Sequence, residues 1–384
     1  VTPRLLFISN LFPTAAEPYR GLDNAMLLHA LEPHFEIRVL SPRPVLPLAA
    51  RKFSPRPDDA SLSPKWIPAG YVPKVGSHVN HLLMARSLRG ELDQTLETFH
   101  PNVILGSWIY PDCCAVLHLV RDRVPVVAIA QGSDIHHYLE IPARRSIILK
   151  ALPRAAAVVT RSRELARLLE AAGFPSEKLH TVYNGVDLDL FQPRDQAAAR
   201  REFFLPESAR IVLFVGNFFE VKNPHHLILA AGSLKAKIGD LLLVMAGGGP
   251  WEKICRDLSV KLGLESSVIF AGRKTPREVS RLMNAANLLA LASENEGVPN
   301  VILEAFASGL PVVASRVGGI PEVLDHDFLG RMFPAGDLPA LSLALEEQLA
   351  APRDVAAIRA RAERFSWQIA ASKYREILLA ASAN

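Results

Sequence analysis

Short apolar runs recur along the chain, and between them apolar residues return at helical spacing. This alternation is the pattern of a parallel sheet covered by helices. In the first half it predicts strands at Leu5–Ser9, Ile37–Leu40, Val103–Leu105, Val126–Ala130, Ala157–Thr160 and Leu179–Val182. The second half offers Ile211–Val215, Leu241–Ala246, Val268–Phe270, Asn287–Leu291 and Pro311–Ala314. Between the two sets lies Asn184-Gly-Val-Asp-Leu-Asp-Leu-Phe-Gln-Pro193, rich in turn residues. The domain boundary is placed there, giving a first domain of residues 1–190 and a second of 191–364. Phe365-Ser-Trp367 opens a final helical segment, 365–384, with apolar positions at Ile369, Tyr374, Ile377 and Leu378. The pattern leaves open whether that helix finishes the second domain or returns to the first. Two open parallel sheets of this kind bind ligands at the carboxyl ends of their strands.

Composition narrows the class. The 384 residues exceed the usual single-domain length, and a chain 49% hydrophobic and 21% charged can fill two cores. No run reaches the roughly 20 apolar residues of a membrane-spanning helix. Val1-Thr-Pro-Arg-Leu-Leu-Phe-Ile-Ser9 lacks the features of a signal peptide and reads as a first buried strand. Of three cysteines, Cys113 and Cys114 are adjacent and Cys255 is remote, so reduced thiols are expected. No Cys/His cluster has ligand spacing, His136-His137 being too little, and no metal is expected. These features fit the cytoplasm. A net charge of +4 without basic runs interleaved with aromatics gives no nucleic-acid platform.

Two segments stand apart. Ser41 to Gly76 is crowded with prolines and carries Arg51-Lys52, Trp66 and Tyr71; it reads as an irregular excursion on the first domain. Ile141-Pro-Ala-Arg-Arg-Ser-Ile-Ile-Leu-Lys150 sets cations beside aliphatics. Together they could rest on the acidic inner face of a membrane, or be a solvated loop and a helix with a basic face.

The densest chemistry is Ser293-Glu-Asn-Glu-Gly-Val-Pro-Asn-Val-Ile-Leu-Glu304. Glu296 and Glu304 flank a loop-to-helix junction with seven residues between them. Gly297, Pro299 and Asn300 read as a turn ending near a helix cap, and Val301 to Ser308 as the helix. A helix N-terminus offers backbone N–H groups to a diphosphate. Glu304, one turn inside, can accept from the vicinal hydroxyls of a ribose, and Glu296 from a second sugar beyond the phosphates. Two solvated glutamates at an ordinary helix start would give the same spacing.

The neighbours favour the ligand. Glu296 through Glu322 resembles, almost position by position, the E-x7-E region of retaining glycosyltransferases of family four, which have the GT-B fold. The resemblance implies two Rossmann-like α/β domains facing a cleft, with a C-terminal helix crossing back to the first. It implies donor contacts from Glu296, Gly297, Val298, Pro299, Asn300, Val301 and Glu304. Gly216-Asn-Phe-Phe-Glu-Val-Lys222 is similar to the family's phosphate-binding loop, in which an arginine follows the glycine and a lysine comes later. Gly216 and Lys222 match; Asn217 stands where the arginine is expected, so one of two cations is absent. Ala246-Gly-Gly-Gly-Pro250 fails G-x-G-x-x-G, because Glu252 holds the last glycine position, and it is similar instead to the glycine-rich turn around Gly248. Phe270-Ala-Gly-Arg-Lys-Thr275, with Arg273, resembles the loop that holds the base.

In the first domain, Gly21 within Tyr19-Arg-Gly-Leu22 resembles a position over the diphosphate and acceptor. Ser107-Trp108 and Gln131-Gly132-Ser133-Asp134 resemble acceptor-side loops, with Ser107 and Gln131 at positions where a histidine is frequent. Gln131 can hydrogen-bond but does not titrate near neutrality. Asp134 is also readable as a helix cap. The expectation is a retaining, metal-independent transferase without cofactor, moving a sugar from a nucleoside diphosphate to a glycan, lipid-linked or small-molecule hydroxyl. Glu296, Lys222 and Gln131 would be its catalytic residues. The departures at Ser107, Gln131 and Asn217 keep open a non-catalytic subunit that binds nucleotide sugar or a partner enzyme. A GT-B phosphorylase or sugar-nucleotide isomerase is the remaining rival.

Overall fold

The computed structural model describes residues 2–14, 17–46, 62–73 and 75–383. It divides into two compact units, one of Val1–Asn184 with Trp367–Asn384, the other of Gly185–Ser366.

The first unit is a parallel sheet of seven strands: β1 (Arg4–Ile8), β2 (Glu36–Val45), β3 (Lys65–Gly70), β4 (Val103–Ser107), β5 (Val126–Ala130), β6 (Ala157–Thr160) and β7 (Leu179–Thr181). Their order is β3-β2-β1-β4-β5-β6-β7. Successive residues of β1 face opposite layers: Leu6 and Ile8 join the core beneath the helix Asn80–Phe99, while Leu5 and Phe7 join the core on the other face. The terminal helix Trp367–Ala383 lies in that second core, burying Trp367, Ala370, Tyr374 and Leu378 beside Leu27 and Leu31.

The second unit is a parallel sheet of six strands: β8 (Arg210–Val215), β9 (Leu241–Ala246), β10 (Val268–Gly272), β11 (Leu288–Leu291), β12 (Val312–Ser315) and β13 (Gly330–Phe333), ordered β10-β9-β8-β11-β12-β13. In each sheet the order reverses once, beside β1 in the first and beside β8 in the second. Ligands of open α/β sheets bind outside the carboxyl ends at that reversal. The loops after β1, β4 and β5 therefore border that position in the first unit, and those after β8, β9 and β11 in the second.

The expected irregular excursion over Ser41–Gly76 is corrected by β2 and β3. Beyond Leu40 the second strand has no partner on the β1 side and pairs only with β3, from Ser41↔Trp66 to Val45↔Gly70. Pro42 and Pro44 are tolerated there, and Pro68 on the edge strand, because a strand open on one side can lose a donor. Trp66 lies within β3 and Tyr71 follows it; Arg51-Lys52 falls outside the described residues. β13 also went unforeseen. It opens on Gly330, where a Cβ would lie 1.8 Å from the Val312 carbonyl oxygen, so close strand contact requires the glycine.

Candidate functional site

In the second unit the site is built from loops that brace one another. Gly216 continues β8 by one residue, its N–H donating to the Ala246 carbonyl (3.0 Å). A Cβ on Gly247 would lie 1.8 Å from the Gly216 oxygen, so the loops after β8 and β9 cross at a contact only glycine permits. Phe218 N–H then donates to Gly248 O (3.1 Å) and Trp251 N–H to Phe218 O (2.9 Å). The triple-glycine turn thus holds the loop that carries Asn217 and Lys222. Asn217 itself is exposed. The Arg273 side chain runs past Gly248, Nε lying 3.5 Å from where a Cβ there would stand. It is exposed, and no described residue pairs with its guanidinium.

Lys222 closes one 3-10 turn, Glu220–Lys222, ahead of the helix Pro224–Lys235. Its Nζ donates to Glu296 Oε1 at 2.5 Å, and Ser293 Oγ donates to the same oxygen at 2.7 Å. The two loops are also joined by Glu294 N–H to Val221 O (2.8 Å) and Asn223 Nδ2 to Glu294 Oε1 (3.1 Å). From the far side Gly319 N–H donates to Gly297 O (3.0 Å), and Ser315 Oγ donates to Ser293 O (2.5 Å). Gly318, at φ +52°, fits there because a Cβ would meet the Glu296 carbonyl oxygen at 1.7 Å.

The helix Asn300–Ala307 follows immediately. Its N-cap is Pro299, which brings no side-chain hydrogen bond, so the first backbone N–H groups are not capped by that residue. Val298 is buried at its base. One turn in, Glu304 is partly buried, and no described residue donates to or pairs with its carboxylate. Burial pushes this carboxyl up to about 7.

In the first unit, Gln131 Nε2 donates to Ser107 Oγ (2.6 Å) and to Asn24 Oδ1 (2.9 Å), while Ser107 Oγ donates to that same Asn24 oxygen (3.1 Å). Asn24 Nδ2 in turn donates to Leu11 O (2.8 Å). The structure thus brings Ser107 and Gln131 together through a third residue. Asp134 is fully buried beneath them. It accepts the N–H groups of Ile109 (2.9 Å), Gln131 (2.9 Å) and Gly132 (2.7 Å), fixing the strand-to-helix turn. Burial raises its carboxyl nonetheless. Ser133 is exposed beside it. Trp108, directly after β4, adopts φ +75°, a strained value for a bulky residue, while its N–H still donates to Ile129 O on β5 (3.2 Å). Gly21, at φ +68°, packs against the Leu11 carbonyl, where a Cβ would lie at 2.3 Å.

Sequence reading missed several members. Asp112 is buried and accepts from the N–H (2.5 Å) and Nδ2 (2.7 Å) of Asn10, and burial pushes its carboxyl up to about 7. Asn10 Oδ1 takes a hydrogen bond from Arg20 (2.7 Å). Asn24 had a usable signal, a polar residue on the buried face of Leu22–Leu31. Arg144, expected among surface cations, is buried.

Residues 25–190 match the family described as glycosyltransferase family 4, and residues 195–365 match that of glycosyl transferases group 1. Between them the two matches span most of both units. The chain belongs to glycosyltransferase family 4. Among curated members, an N-acetyl-alpha-D-glucosaminyl L-malate synthase of Bacillus anthracis is 29% identical over 62% of this chain and 63% of its own length. A D-inositol 3-phosphate glycosyltransferase of Thermobispora bispora is 31% identical over 66% of this chain and 62% of its own. The chain thus spans somewhat less than two thirds of the curated relatives it matches. The Anabaena protein HepE, solved in complex with UDP, superposes with a TM-score of 0.77, covering 98% of this chain and 100% of that one at 19% identity. The fold of this family-4 chain is accordingly GT-B. Among its described residues, no helix is long and apolar enough to cross a membrane.

Proposed function

We propose that this chain transfers a sugar from a nucleoside diphosphate to an acceptor hydroxyl, with retention at the anomeric carbon and without a metal. The observation that carries this reading is the Lys222–Glu296 pair, set at the carboxyl ends of β8 and β11 beside the helix Asn300–Ala307, whose Glu304 pairs with no described residue. Lys222 and the helix N-terminus offset charge as the diphosphate leaves. Arg273 stands as the second cation that Asn217 does not supply. Glu304 accepts from the ribose diol and Glu296 from hydroxyls of the donor sugar. The names of the curated relatives, both transferring glycosyl groups, and UDP in HepE support a nucleotide-sugar donor.

Gln131 positions rather than titrates, its amide being tied to Ser107 and Asn24. No strong protein base is required in a front-face displacement, because the departing phosphate oxygen takes the acceptor proton. The neutral Asn217 favours, as a second reading, a subunit that binds nucleotide sugar without turning it over.

A panel of UDP-, GDP- and ADP-sugars, read by released nucleotide, tests both. Turnover with at least one donor, abolished in Glu296→Ala and Lys222→Ala, is expected. Product anomer by NMR and insensitivity to EDTA test retention and metal independence. Binding without turnover favours the subunit, and absence of any binding sinks both readings.

A further inference from the structure

The helix Leu22–Leu31 of the first unit begins without a side-chain cap. Its N-cap is Gly21, which has no side chain to accept from the first backbone N–H groups. Gly21 O receives only backbone donors, Asn24 N–H (3.1 Å) and Ala25 N–H (3.3 Å). Yet this first turn carries much of the site in its unit. Asn24 holds Ser107 and Gln131 together, and Gly21 packs against the Leu11 carbonyl. Between them in sequence stands Asp23.

Asp23 meets Arg161. Its Oδ2 lies 3.6 Å from Arg161 Nη2, and the two side chains are 18% and 2% exposed. Arg161 directly follows β6, and the chain is held on both sides of it: Val182 N–H donates to Thr160 O (2.9 Å), and Leu165 N–H to Ser162 Oγ (3.1 Å). The guanidinium stands 5.7 Å from the ring centroid of Tyr374, a fully buried residue of the terminal helix Trp367–Ala383. Neither the guanidinium nor the Tyr374 hydroxyl hydrogen-bonds to any described residue. Among the described residues, Asp23 is therefore the group that offsets this charge.

Stability is a poor reason for such a pair. A guanidinium cannot shed its charge at neutral pH, and replacing a buried ion pair by apolar side chains of similar volume is often neutral or stabilising. An acid in a first turn already complements the helix dipole from the surface, so Asp23 does not need a buried partner for that. What the pair adds is direction. A fixed cation facing one acid holds the uncapped turn in one place, where apolar packing would let it shift.

We infer that Arg161 is a positioning residue, which through Asp23 pins the first turn of Leu22–Leu31 and with it Gly21 and Asn24. The link to turnover rests on the transfer reading; the pinning itself does not.

Hydrogen exchange of the full chain, read by mass spectrometry with fragmentation, tests the pinning in Arg161→Met, Asp23→Asn and the double variant. Exchange at the Asn24 and Ala25 amides should accelerate about tenfold or more in each single variant, relative to the helix Asn80–Phe99 of the same unit. The double variant should be no faster than the worse single one, since both substitutions break one contact. An unchanged first turn, an acceleration shared equally by Asn80–Phe99, or a double variant that multiplies the two effects overturns the pinning. Should a single variant fail to fold, the double variant decides by the same measure, because it strands neither charge. With a donor that turns over, kcat/KM should fall about tenfold or more in the double variant, and Arg161→Lys, which keeps the cation, should retain more activity than Arg161→Met. Full turnover in a double variant whose first turn exchanges fast overturns the role in catalysis. Absence of turnover with every donor is a failure of the transfer reading alone, and the exchange measurement still decides the pinning.

Discussion

Lys222 and Glu296 leave different strands, β8 and β11, yet their side chains meet at 2.5 Å, with Ser293 Oγ on the same carboxylate oxygen. Without ligand, each holds the other's charge and position. A diphosphate beside Lys222 and sugar hydroxyls on Glu296 would draw on groups that are already placed, which is the physical content of preorganisation.

Because the two act as a unit, their losses should not add. Lys222→Met and Glu296→Gln are each expected to lower kcat/KM about 100-fold to 1,000-fold. The double variant should fall no more than about tenfold below the worse single one. Initial rates of nucleotide release measure all three. Full multiplication of the two losses would show that the contact has no part in turnover.

Glu304 sets a pH dependence. Its carboxyl is raised from 4.5 to about 7 by burial. Between those values the folded chain holds a proton that the unfolded chain has released. Stability therefore falls as pH rises through this window and levels off above it. Ribose hydroxyls donating to the carboxylate favour its charged form, so nucleotide binding should release a proton below about pH 7, and affinity should tighten as pH rises toward 7 and level off above it. Calorimetry in buffers of different ionisation enthalpy reads the proton directly. Glu304→Gln should abolish both slopes, and a wild-type affinity flat across this range would remove Glu304 from the ribose.

How much of this was legible in the chain depended on whether the signal was local. Val126–Ala130, Ala157–Thr160 and Leu241–Ala246 are continuous apolar runs, and each is a strand at those same bounds. The continuation of β2 past Leu40 was hidden because Pro42 and Pro44 read as breakers, when only pairing to β3 alone makes them harmless. Glu296 and Lys222 were identifiable one at a time, but their contact spans 74 residues of sequence and is settled by the crossing of two loops. Arg144 shows the reverse failure. Its neighbours in the helix are Ala143 and the exposed Arg145, and nothing local distinguishes it from a surface cation; Tyr110 and Tyr138 bury it.

The Gln131 network carries a stability prediction. Asn24 and Ser107 are fully buried, and both accept from Gln131 Nε2. Gln131→Ala leaves those acceptors short of a donor and should cost about 1–3 kcal/mol. Gln131→His can restore one donor and should recover part of that loss. Urea denaturation measures each. An Ala variant as stable as wild type would mean that water takes the place of the amide.

Gly318 offers the sharpest separation of backbone from side-chain effects. Its φ of +52° disfavours any Cβ, and a Cβ there would lie 1.7 Å from the Glu296 carbonyl oxygen. Gly336, at φ +78°, shares the first property, but a Cβ on it would meet no described atom within 4 Å. Gly336→Ala should therefore cost only the conformational penalty, about 1 kcal/mol, and leave kcat/KM unchanged. Gly318→Ala must also push the Glu296 segment away from Lys222. It should lower the melting temperature further and reduce kcat/KM about 100-fold, in line with a displacement near 1 Å at a positioned group. Equal effects from the two substitutions would show that the Glu296 segment yields without consequence. The Lys222–Glu296 contact would then owe nothing to the glycine beneath it.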